Sequence, residues 1–157
     1  MARQDLWAFA AIAAITLWRI GVLAFNEVSL FVDETQYWLW GQELAFGYYS
    51  KPPLVGWVIR ASNALGQSDA AFWVRLPAQL LHGVTGFLLA ILARDIWQTP
   101  KAAWAGAAYA TLPGVSILAL FMSTDDVLLP ACALALLATY RLQTASSIAW
   151  AIALGVA

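Results

Sequence analysis

Residues 6–25 read LWAFAAIAAITLWRIGVLAF, an apolar run with a single charge, Arg19. At about 1.5 Å of helix rise per residue, roughly 20 such residues cross a hydrocarbon layer of about 30 Å. A secretory leader would have a shorter apolar core, about 7–15 residues, and a small-residue cleavage site, which does not follow here. The run therefore predicts a retained membrane span. Further apolar runs predict spans at 70–93, 102–122 and 127–140, the last short, and a fifth, incomplete, at 148–157. Composition agrees: 62% of residues are hydrophobic and 11% charged, against about a quarter charged in soluble domains. The chain is expected to be an all-α integral membrane protein, a polytopic helix bundle forming one transmembrane region over residues 1–157.

A net charge of −1 without a basic block gives no reason to expect a nucleic-acid partner. The single cysteine, Cys132, has no internal disulfide partner and reports nothing about redox compartment.

Between the first two spans lies the loop 26–69, aromatic but punctuated by Gly47, Pro52, Pro53 and Gly66. Asp33 followed three residues later by Gln36 resembles a capping box, with Gly47 as a stop. A second segment, Leu54–Leu65, is too short to cross. Both predict juxtamembrane helices in the interface, where Tyr37, Trp38 and Trp40 suit the headgroup level. Arg3, Arg94, Lys101 and Arg141 fall on the N-terminal side of the membrane and Lys51, Arg60 and Arg75 on the other. The bias towards a cytoplasmic N-terminus is small. Parity carries more weight: one span precedes Asp33–Glu34 and three precede Asp125–Asp126, so both pairs belong on the same, external, face.

Each acidic pair has two readings. Asp and Ser are ordinary helix caps, so either pair could only start a helix; acids at membrane depth are also costly and commonly face a water-filled site. Lys51 and Arg75 divide likewise. Either could snorkel to lipid headgroups, or the two could hold a lipid phosphate, Arg as a fork and Lys as a point charge. Lys51 is presented by the stiff Pro52–Pro53 segment. Arg19 and His82 have weaker claims, His82 being better suited to an interhelical hydrogen bond.

Four segments, DETQYW from Asp33, GYYSKPPLVGW around Lys51, FWVRLP around Arg75 and STDDVLL around Asp125, together resemble glycosyltransferase family 39. That family contains protein O-mannosyltransferases and the aminoarabinose transferases of lipid A. The resemblance implies the N-terminal part of the large membrane glycosyltransferase (GT-C type) fold, in the plasma (inner) membrane, with catalysis on the external face. It implies transfer of a sugar from a polyprenyl-phosphate donor to an acceptor lipid, glycan or protein. Asp33, Glu34 and Asp125 map onto catalytic carboxylates, and Lys51, Arg75 and Asp126 onto substrate binding, with the two cations near the donor phosphate. No cofactor or metal ligand is predicted, although paired acids can hold a divalent ion. Family members are several times longer, so residues 1–157 are not expected to be active alone. The other reading of the same pattern is a non-enzymatic transporter subunit or scaffold held by ion pairs.

Overall fold

The computed structural model describes residues 3–157, and the side chains of Arg3 and Gln4 lie outside what it describes. The described residues are helical without strands: α1 (Arg3–Ala24), α2 (Val32–Gln42), α3 (Leu54–Gly66), α4 (Ala71–Trp97), a 3₁₀ turn (Pro100–Ala103), α5 (Trp104–Thr111), α6 (Pro113–Leu118), α7 (Thr124–Thr144) and α8 (Ile148–Val156). Three of them, α1, α4 and α7, are long and apolar enough to cross a membrane. α4 is the central post, packed against α1, α3, α5 and α7.

Small residues set how closely these helices approach. Ala8, Ile12, Ala90, Ala103 and Ala107 form a buried seam between α1, α4 and the 3₁₀–α5 segment. A Cβ on Gly106 would stand 2.1 Å from the Gly86 carbonyl oxygen. Backbone contact this close is the way apolar helices gain packing energy where lipid offers no hydrophobic drive.

The third apolar run departs from a simple span. Residues 100–122 run the length of α4 as a chain of short pieces, from the Ala90–Ala103 end to the point where the Met122 N–H donates to Glu34. Pro113 causes the main break, because it has no N–H to continue the ladder. Side chains from neighbouring helices satisfy open carbonyls of this segment: Arg19 NH2 donates to Ala110 O at 2.6 Å, and Gln79 Nε2 donates to Ala119 O; Arg19 NH2 also donates to the Ser116 hydroxyl at 2.8 Å. Irregular backbone in an apolar layer requires such internal partners. The same logic applies in α4, where Pro77 cannot donate to Trp73 O and the Ser62 hydroxyl does so from α3 at 2.6 Å.

α7 is longer than the expected span 127–140, because its first turn includes the acidic pair and its last turn carries Arg141. Arg141 is held at 2.8 Å by Asp95, beside the Asp5–Arg94 pair. These charges gather at the end of the bundle opposite both acidic pairs.

α2 and α3 form an aromatic hairpin. Trp40 stacks on Tyr48 (centroids 5.1 Å apart, planes at 2°), and Trp57 Nε1 donates to Ala45 O. Trp38 Nε1 and Asn63 Nδ2 both donate to Asp69 Oδ1, which fastens the hairpin to the start of α4. Those two bonds, seconded by Arg60, hold the Asp69 carboxyl below its ordinary range. Phe46, Tyr49 and Leu65 stand almost fully exposed on this hairpin.

Candidate active site

The sequence places an acid pair at the start of α2 and another at the start of α7, and the fold gives both the same local plan. α2 starts at Val32 with Phe31 as its N-cap residue, two residues earlier than the Asp33 cap expected from Gln36. The residue that reaches back is Glu34, whose Oε2 accepts the Phe31 N–H at 3.0 Å. In α7 the N-cap residue is Ser123, and Asp126 Oδ2 accepts its N–H. In each helix the second acid of the pair occupies the third helical position and closes half of a capping box. The first acid, Asp33 or Asp125, sits one residue earlier, turned about 100° round the helix, and is exposed.

The two inward acids meet α4. Glu34 is 1% exposed and Arg75 also 1%. They pair as two forks, Arg75 Nε to Oε1 at 2.8 Å and NH2 to Oε2 at 2.7 Å, the bidentate geometry that is strongest for this couple. Two further guanidinium N–H groups donate to Val28 O and Ser29 O, both at 2.9 Å, and Glu34 Oε1 also accepts the Met122 N–H at 3.0 Å. Arg75 therefore does not present an open fork to a phosphate, and Glu34 does not present a free carboxylate to a reacting proton. The pair ties four segments together: the 28–31 loop, α2, α4 and the backbone leading into α7.

Two helical turns further along the same face of α4, His82 repeats the arrangement. Its Nε2 lies 2.9 Å from Asp126 Oδ1, and its Nδ1 lies 2.8 Å from the Tyr109 hydroxyl. His82 makes the interhelical bond expected of it, and Asp126 is buried rather than presented to substrate.

Asp33 and Asp125 converge around Tyr37. Tyr37 is one turn after Asp33, 5% exposed, with its ring in a cluster with Val55, Ile59, Val74, Ala78 and Met122. Burial, then Asp33, then Asp125 push its hydroxyl above its ordinary ionisation range, so the phenol stays protonated. A cavity of about 270 Å³ opens here, lined by Asp33, Glu34, Tyr37, Ser123 and the edge-to-face pair Phe31–Phe121. Lys51, exposed at the mouth of a second cavity of about 370 Å³, lies with Pro52 and Thr124 at the head of an apolar groove along Val127, Leu128 and Ala131 of α7. Of the six residues singled out from sequence, the fold therefore leaves three open (Asp33, Asp125, Lys51) and buries three, Glu34 and Arg75 in an ion pair and Asp126 against His82. The sequence marks Tyr37 only as an interface aromatic; its i+4 spacing from Asp33 is the signal that places both on one helix face. Among the described residues, no three His, Cys, Asp or Glu side chains cluster as a metal site would need.

With this geometry in view, residues 50–157 match the family described as dolichyl-phosphate-mannose-protein mannosyltransferase. The chain belongs to this family of membrane glycosyltransferases. It is also similar to the lipid A galacturonosyltransferase RgtD of Rhizobium johnstonii, 43% identical over 145 residues, which is 92% of this chain and 31% of that protein. The chain thus spans about a third of the length of the curated relative it matches. No solved structure matches it. Family membership fixes the class expected from the four segments, an all-α membrane glycosyltransferase portion.

Proposed function

We propose that these residues form the carboxylate-bearing part of an active site that transfers a sugar from a polyprenyl-phosphate donor to a lipid acceptor at the external face of the inner membrane. By likeness to the galacturonosyltransferase, the sugar is galacturonic acid and the acceptor lipid A. The observation that carries the reading is the division within each acidic pair: one acid is buried against a basic side chain of α4 and its neighbour is left open near the same tyrosine.

In this reading Asp33 is the general base. The acceptor hydroxyl oxygen attacks the anomeric carbon, its proton passes to the Asp33 carboxylate, and the bond between that carbon and the donor phosphate breaks with its electron pair leaving on the phosphate. Asp33 lies in the first turn of α2, where the helix dipole favours its ionised form. Asp125, exposed in the first turn of α7 and near enough for its charge to act on Tyr37, orients a hydroxyl by accepting its proton in a hydrogen bond. Lys51 supplies positive charge where the phosphate departs, and the apolar groove beyond it suits the alkyl chain attached to that phosphate. Glu34–Arg75 and Asp126–His82 act as positioning pairs: they set the starts of α2 and α7 and so aim the open acids.

The test is transfer of galacturonic acid from a polyprenyl-phosphate donor to lipid A by the full-length protein in nanodiscs. Asp33→Asn is expected to lower kcat by about 10²–10⁴-fold, the usual worth of a general base, with unfolding unchanged. Lys51→Ala is expected to raise the donor KM. Wild-type turnover in Asp33→Asn would overturn the assignment of the base.

A further inference from the structure

The cavity between the start of α2 and residues 121–123 contains a group that the roles above leave unused. The Tyr37 ring is fixed in the core, but its hydroxyl makes no hydrogen bond among the described residues; Tyr37 lines this cavity with Asp33, and Asp125 of α7 lies near enough for its charge to act on the phenol. Ionised carboxylates only accept hydrogen bonds, and Glu34 is already saturated by Arg75 and two backbone N–H groups. A protonated phenol beside two acceptors is the complement required by a sugar hydroxyl, which accepts one hydrogen bond and donates another. The Phe31–Phe121 pair, with ring centroids 4.8 Å apart at 89°, forms an apolar wall against which the C–H face of a sugar ring can lie. The cavity, about 270 Å³, is at the small end of ligand pockets, which run about 300–1,000 Å³. It suits one ring rather than a chain.

We propose that the Tyr37 hydroxyl is a third substrate-contacting group, a donor that fixes one hydroxyl of the transferred sugar while that hydroxyl gives its own proton in a hydrogen bond to Asp33 or Asp125. This rests on the glycosyltransfer reading and adds a specificity-determining residue to it.

Tyr37→Phe keeps the buried ring and removes only the donor, and thermal unfolding checks that the fold is kept. The probes are polyprenyl-phosphate galacturonic acid and a series of donors each lacking one sugar hydroxyl, with lipid A as acceptor and the full-length protein in nanodiscs. Tyr37→Phe is expected to lose about tenfold in kcat/KM with the complete sugar, the upper range for one neutral hydrogen bond. One donor of the series should lose about the same factor in wild type and nothing further in Tyr37→Phe, because the two deletions remove one bond. A merely structural role would lower all donors equally. Wild-type kcat/KM in Tyr37→Phe, or an equal loss across the series, overturns this inference while an inactive Asp33→Asn leaves the active-site reading standing. Full activity in Asp33→Asn, or no transfer by wild type with this donor and acceptor, overturns both.

Discussion

Arg75→Met isolates the pairing between α4 and the start of α2. Methionine keeps an unbranched apolar stem of similar reach and deletes the guanidinium. Four hydrogen bonds are lost: the two to Glu34 and those to Val28 O and Ser29 O. Neither side chain has solvent to fall back on, since both residues are fully buried. Breaking a buried pair from one side strands a charge and typically costs about 3–5 kcal/mol. The Phe31 and Met122 N–H groups still solvate the Glu34 carboxylate, which places the expectation nearer about 3 than 5 kcal/mol. Equilibrium unfolding of wild type, Arg75→Met, Glu34→Gln and the double variant in detergent micelles measures both the cost and the coupling. The double variant should be more stable than Arg75→Met, because the stranded charge is gone. Lys51→Ala, a change at an exposed side chain, should stay within about 0.5 kcal/mol of wild type. An Arg75→Met protein within about 1 kcal/mol of wild type, or no recovery in the double variant, would refute the assignment of this pair to holding the site.

Two further expectations concern packing and pH. Gly106→Val should separate α4 from α5, since even a Cβ would overlap the Gly86 carbonyl oxygen at 2.1 Å; a loss of about 1–3 kcal/mol or more in micellar unfolding is expected, and an unchanged midpoint would show that the seam yields freely. Asp69 is held below its ordinary 3.8 by Trp38 and Asn63, so its contribution to folding is present above the unfolded value and is lost as pH falls through the lower folded one. Thermal unfolding below about pH 4 should therefore decline less steeply in Asp69→Asn than in wild type; parallel acid limbs would remove this carboxylate from the hairpin's stability.

Much of the architecture follows from one-dimensional information. Apolar runs specify membrane helices because a bilayer leaves the backbone no other partner, and α1, α4 and α7 form where such runs occur. The pairing of acids with helix starts was legible too, since capping is local and depends on residues three apart. Leu54–Leu65, bounded by Pro53 and Gly66, appears as α3. Pro113 within the run 102–122 announced a break, but nothing local indicated that Arg19, Gln79 and Glu34 would satisfy the backbone released there.

The candidate site was legible as a set of residues and illegible as a set of roles. Adjacent acids such as Asp33 and Glu34 are chemically alike, and a sequence lists them side by side. The helix turns them about 100° apart, and the packing of α4 decides which one is buried. Arg75 and His82, seven residues apart, rise on one face of α4 and meet Glu34 and Asp126. Burial makes a charge seek a partner, because its desolvation is costly without one. Asp33 and Asp125 are left without such partners; Asp33 lines the cavity with Tyr37, and the charges of both acids act on the Tyr37 hydroxyl. Which groups carry charge, and near which helix end, is local information written in the chain; which of them pair and which stay open to a substrate depends on contacts between segments 41 to 88 residues apart, and those exist only once α4 has packed against the starts of α2 and α7.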